Sequence, residues 1–138
     1  MLTVLFPLAG SSAFGAIIHL KQNVMNQDQL YLLKHDFVEN GKTYYCPGCV
    51  EVLGLLEIYP KLKQTIVIHY VDFTRPRPEL VSLLGEENQS CPVLVIAEEP
   101  PNLPEHLVVQ HSNGRAFVDG SREIGEYFAH VHGIGVPH

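Results

Sequence analysis

The run Tyr44-Tyr45-Cys46-Pro47-Gly48-Cys49 leads straight into the apolar segment Val50 to Tyr59, and it holds two of the chain's three cysteines. Two cysteines separated by two residues, with proline after the first and a helical pattern after the second, predict a dithiol at the N-terminus of a helix. Cys46 then takes the N-cap or a position beside it. Pro47 takes the first helical position, where its missing N–H costs nothing, and Cys49 lies one turn in, facing the protein. Unpaired backbone N–H groups and the positive end of the helix dipole favour an anion at Cys46. Cys49 is placed to attack any mixed disulfide formed there, so the two thiols have different tasks.

The totals narrow the class. A chain of 138 residues fits one domain with a hydrophobic core. An apolar fraction of 46% against 17% charged residues suits a compact protein rather than a disordered one. The net charge of −6 argues against nucleic acid as a partner, which needs a clustered basic face. Arg75 and Arg77 are the only close arginine pair and read as a solvated helix entry rather than a substrate clamp. Three cysteines do not make a disulfide framework and fit a cytoplasmic redox or metal site better.

Met1 to Leu20 is largely apolar, yet it matches neither a signal peptide nor a membrane span. Pro7, Gly10 and Gly15 interrupt it, and Lys21 follows the apolar run instead of preceding it. Residues 1–24 are therefore expected to be an upstream extension or a mistaken start, with the domain over 25–138 and no membrane partner.

Outward from the dithiol, Gln29 to Phe37 reads as an inner strand, and His35 to Lys42 as a loop delivering the chain to Cys46. The segment after Cys49 reads as a mostly buried helix stopped by Pro60. Thr65 to Phe73, rich in β-branched residues, predicts a strand parallel to the first. Pro78 to Leu84 is a short helix closed by Gly85, and Val93 to Ala97 a third strand. Asn113-Gly114 marks a hairpin between Leu107 to Gln110 and Arg115 to Val118. Ser121 is expected to cap a last helix that ends at Gly133. The order is strand, helix, strand, helix, strand, strand, helix in a single α/β domain.

That order, with the cysteine pair after the first strand, resembles the thioredoxin-like fold. Tyr45-Cys46-Pro47-Gly48-Cys49 is similar to the glutaredoxin active site, and Cys91-Pro92-Val93-Leu94 to the loop that holds the family's cis-proline. Val118-Asp119-Gly120-Ser121-Arg122-Glu123-Ile124 with Tyr127-Phe128 resembles the end of the thioredoxin-like half of glutathione transferases. The chain as a whole resembles a bacterial family of thioredoxin-like domains of unknown function, through its Tyr-Tyr-Cys-Pro-x-Cys block and its Asn88 to Leu94 block. The resemblance implies that Cys46 is the nucleophile, Cys49 the resolving thiol and Pro92 the cis-proline beside them. It also implies a glutathione subsite: Tyr45 beside the thiolate, the Val93 backbone pairing with a bound peptide or glutathione, and Gly120 and Ser121 receiving the γ-glutamyl carboxylate at a helix N-terminus. Lys42 is a candidate partner for the other carboxylate. Asp119 departs from that pattern by bringing a negative charge to the anion site.

The expected activity is thiol-disulfide exchange on a thiol or disulfide substrate, without a tightly bound cofactor or metal, and with glutathione as a candidate co-substrate. One alternative is a zinc or iron-sulfur protein that uses Cys46, Cys49 and Cys91, with His35 or an external group as the fourth ligand. Another is a redox-inactive module that keeps the fold for partner recognition. Cys91 reads equally well as a small buried apolar side chain. His130, His132 and His138 read as residues of a surface and a fraying end rather than a metal-binding tail.

Overall fold

Three prolines open helical segments, because the first positions of a helix need no N–H. In the computed structural model, which describes residues 26–138, Pro47 begins α1 (Pro47–Ile58), Pro60 a 3-10 turn (Pro60–Gln64) and Pro78 α2 (Pro78–Leu84). The expectation about residues 1–24 lies outside the described residues. A third helix, α3 (Ser121–His132), ends where Gly133 turns left-handed. The strands are β1 (Asp28–Leu33), β2 (Phe37–Glu39), β3 (Lys42–Tyr44), β4 (Ile66–Val71), β5 (Val93–Ile96), β6 (Gln110–Ser112) and β7 (Arg115–Asp119).

Five of them form one mixed sheet in the order β4-β1-β5-β7-β6; β4 runs parallel to β1, and the other neighbours pair antiparallel. The fold is thus α/β. Strand alternation sorts side chains onto its two faces. Leu30, Leu32, Leu94, Ile96 and Val118 pack with Cys49, Val52 and Leu56 of α1 and with Ile124, Tyr127 and Phe128 of α3. On the other face, Tyr31, Val71, Val93, Val95 and Phe117 pack with Leu80 and Leu84 of α2. Two helices therefore cover one face and one helix the other. Among the described residues no helix is long and apolar enough to cross a membrane.

Several expectations need correction. β1 stops at Leu33, and the expected loop from His35 to Lys42 is largely a hairpin in which Phe37, Val38 and Glu39 face Tyr44, Thr43 and Lys42. Asn40 and Gly41 turn it with φ of 50° and 76°, the left-handed pair that a two-residue hairpin needs. The later hairpin does turn on Asn113-Gly114, but its first strand starts at Gln110, and Leu107 is buried against the core instead. α1 is not mostly buried: its inward stripe is Cys49, Val52 and Leu56, while Val50 is 48% and Ile58 70% exposed. The N-cap of α3 is Gly120, not Ser121.

Arg77 is the largest departure, since it is 5% exposed rather than solvated. Its Nε–H donates to the carbonyls of Asp72 and Phe73, one terminal nitrogen to Phe73 and the other to Gln89, and its backbone N–H to Gln89 Oε1 at 2.7 Å. The guanidinium also lies 5.7 Å from the Phe73 ring centroid. Among the described residues no carboxylate pairs with it. Backbone dipoles satisfy the charge, and in return the cation pulls the chain after β4 and the chain before β5 together.

Leu94 is fully buried in the middle strand, whereas Val38 in the hairpin is 65% exposed. Leu94→Ala is expected to lower unfolding stability by about 2–5 kcal/mol, and Val38→Ala by less than about 0.5 kcal/mol. Urea denaturation checks both, and similar losses at the two positions would contradict the layer assignment.

Candidate active site

Cys46 is the N-cap of α1, with the extended backbone (φ −82°, ψ 112°) that a cap requires, and Pro47 follows it as the opening residue. Its Sγ accepts the backbone N–H of Cys49 at 3.2 Å, and its carbonyl accepts Val50 N–H at 3.1 Å. One turn in, Cys49 is 3% exposed, and its Sγ accepts the N–H of Leu33 at 3.4 Å from the end of β1. Cys46 remains partly exposed, and all three cysteines are unpaired thiols.

The loop before β5 closes the other side. The Cys91–Pro92 peptide is cis. A Cβ on Gly48 would lie 3.1 Å from Pro92 Cδ, so glycine lets this loop approach the dithiol. The Cys46 thiol reaches the Cys91 carbonyl oxygen at 3.8 Å. Dithiol, proline loop and the end of β1 therefore meet at one place, as the sequence suggested for Cys46, Cys49 and Pro92.

Burial separates the thiols chemically. Cys49 is pushed up to about 12, first by burial and then by the hydrogen bond and charge of Cys46, with the Leu33 N–H opposing. Cys91 is pushed up to about 11 by burial, while the positive charge of Arg77 opposes the rise. Both stay protonated near neutral pH. Cys46 alone combines access to solvent with a backbone N–H aimed at its sulfur.

Other expected site residues fare differently. Tyr45, 61% exposed, lines a cleft of about 420 Å³ together with Cys46, Cys49, Val50, Leu53 and Tyr70. Lys42, the candidate partner for a carboxylate, sits opposite Glu39 beside the Asn40-Gly41 turn, four residues ahead of Cys46. Val93 opens β5, with Tyr31 of β1 and Asp119 of β7 as its neighbours in the sheet.

Gly120 and Ser121 are committed within the protein. Gly120 N–H donates to the Pro92 carbonyl at 3.1 Å, and Ser121 Oγ to Glu51 Oε2 at 3.0 Å. The Glu123 carboxylate folds back so closely that a Cβ on Gly120 would lie 2.8 Å from it. Burial and the charge of Glu123 raise the carboxyl of Asp119 above the usual range. Two acids of the protein, Glu51 and Glu123, thus stand against Gly120 and Ser121.

The three thiols proposed as alternative metal ligands lie close enough to interact electrostatically, Cys46 and Cys91 raising the pKa of Cys49 and Cys46 raising that of Cys91. Cys46 meets Cys91 through the latter's backbone carbonyl, and His35 is exposed and paired with Asp36 at 2.9 Å. Among the described residues no group of three or more His, Cys, Asp or Glu side chains is arranged to hold a metal ion. His132 packs against the Phe128 ring at 5.9 Å, and burial lowers its pKa. Sequence reasoning missed Tyr70, which comes to the cleft from β4, and the buried charge of Arg77. Neither carries a local sequence signal.

The raised thiols give a signed pH dependence. An unfolded thiol ionises near pH ~8.5, whereas Cys91 and Cys49 ionise in the fold only at about 11 and about 12. Between those values the native state binds more protons than the unfolded chain, so stability falls as pH rises above ~8.5. Urea midpoints between pH ~7.5 and ~10.5 should fall less steeply in Cys91→Ala than in the parent; equal slopes would contradict the burial assigned to Cys91.

No curated protein and no solved structure matches the chain. A family model described as "Protein of unknown function (DUF3088)" matches residues 27–136, a span that contains the dithiol, the proline loop and all three helices. The chain belongs to that family.

Proposed function

We propose that this protein is a thiol-disulfide oxidoreductase of thioredoxin-like fold, with Cys46 as nucleophile and Cys49 as resolving thiol. The observation that carries the reading is the hydrogen bond from Cys49 N–H to Cys46 Sγ at a helix N-cap, with Cys49 buried directly behind. The strand order supports the fold: β1 lies between a parallel β4 and an antiparallel β5, and the cysteine pair opens the helix between β1 and β4. Three unpaired thiols suit a reducing compartment such as the cytoplasm.

The Cys46 thiolate attacks one sulfur of a substrate disulfide; a Cys46–substrate bond forms, and the other sulfur leaves as a thiolate that takes a proton from water. Cys46 then carries no charge. That removes the part of the rise in Cys49 which comes from Cys46, and Cys49 loses its proton more readily. Cys49 attacks the Cys46 sulfur, the second substrate thiolate leaves, and a Cys46–Cys49 disulfide remains. The substrate gains two electrons, the dithiol loses two, and an external dithiol restores it.

Cys46→Ser is expected to lower dithiol-driven disulfide reduction at least ~100-fold. Cys49→Ser is expected to accumulate a mixed disulfide on Cys46, visible as a mass increase that a reductant removes. Parent-level turnover in Cys46→Ser would overturn the proposal.

A further inference from the structure

Cys46 has two flanks of opposite character. Toward α3 stand Glu51, Asp119 and Glu123, which take up the Ser121 hydroxyl and crowd the N-terminal turn of that helix. A carboxylate arriving there meets three acids and finds both the Gly120 N–H and the Ser121 hydroxyl engaged. Toward β4 lies the cleft of about 420 Å³, within the size range of a small-molecule site. Three large apolar or aromatic side chains remain exposed on its walls: Tyr45, Val50 and Tyr70, at 61%, 48% and 49%. Among the cleft's lining residues, Lys34 is paired with Asp72 at 2.8 Å and His35 is hydrogen-bonded to Asp36. The cleft walls therefore offer apolar contact beside the nucleophile and hold their one lysine in an ion pair. An opening of similar volume, about 430 Å³, at Ile58, Tyr59 and His132 contains no thiol.

We infer that the site selects uncharged disulfides carrying an aromatic or branched aliphatic group, seats that group between Tyr45, Val50 and Tyr70, and disfavours the anionic glutathione disulfide. The inference rests on the oxidoreductase reading above. The exchange is the one already written, with the apolar group bonded to Cys46 in the mixed disulfide and released as its thiol when Cys49 attacks. Burying one aromatic ring in the cleft is enough to shift rates by about tenfold or more.

The test measures the reaction of the reduced full chain with dithiodipyridine, bis(hydroxyethyl) disulfide and glutathione disulfide, each rate divided by that of a free cysteine derivative with the same reagent. The normalised rate is expected to be at least about tenfold higher for the aromatic reagent than for glutathione disulfide. Val50→Asp, a change at an exposed position, should erase most of that advantage. Glu51→Gln should raise the glutathione disulfide rate about threefold at low salt, with the gain fading as salt is added. Equal normalised rates, or a preference for glutathione disulfide, would overturn the selectivity and leave the redox reading intact. No reaction at Cys46 with any of the three would remove both.

Discussion

The hydrogen bond from Cys49 N–H to Cys46 Sγ is made within the first turn of α1, and two distant parts of the chain converge on it. Leu33 N–H, at the end of β1, donates to Cys49 Sγ, and the Cys91 carbonyl comes up from the opposite side. The sheet makes this possible. β1 is interior and ends beside the start of α1, while β5, antiparallel to it, begins where β1 ends, with Tyr31 opposite Val93. Gly48 removes the one side chain that would hold the proline loop away.

Burial then sets two of the three thiols apart from the third. Cys49 and Cys91 lie where an anion is poorly solvated, and Cys46 lies at the surface under a backbone donor. The surrounding loops are held by Arg77, whose guanidinium bonds to carbonyls on both sides of α2. Phe73, beneath that guanidinium, stacks on Phe37 at 4.2 Å, and Phe37 stacks on Tyr44 at 6.0 Å. This chain of contacts fixes the β2-β3 hairpin that carries Tyr45 and Cys46 to the site.

Much of this was legible where the physics is local. The cap at Cys46, the helix from Pro78 to Leu84, the Asn113-Gly114 turn and the stop at Gly133 all follow from residues within a few positions of each other. The hairpin at Asn40-Gly41 carried the same local signal as the later one, but its strands are short and polar and lack an apolar alternation. Features decided by distant parts of the chain were not legible. Ser121 turns to Glu51, 70 residues away, instead of capping its helix, and Arg77 is buried by two loops that its own neighbourhood does not announce. Apolar residues on several sides of α1 hid which of them face out, and the exposed Val50 proved to belong to the cleft.

The central claim is that Cys46 and Cys49 alternate between dithiol and disulfide while Cys91 stays apart. The most direct test counts free thiols in the purified protein, reduced, then mildly oxidised, then treated with a dithiol, with peptide mass spectrometry to locate each change. The account predicts loss and recovery of two thiols, both in the Cys46–Cys49 peptide, with Cys91 unchanged. A pairing that includes Cys91, or no reversible loss at all, would contradict it.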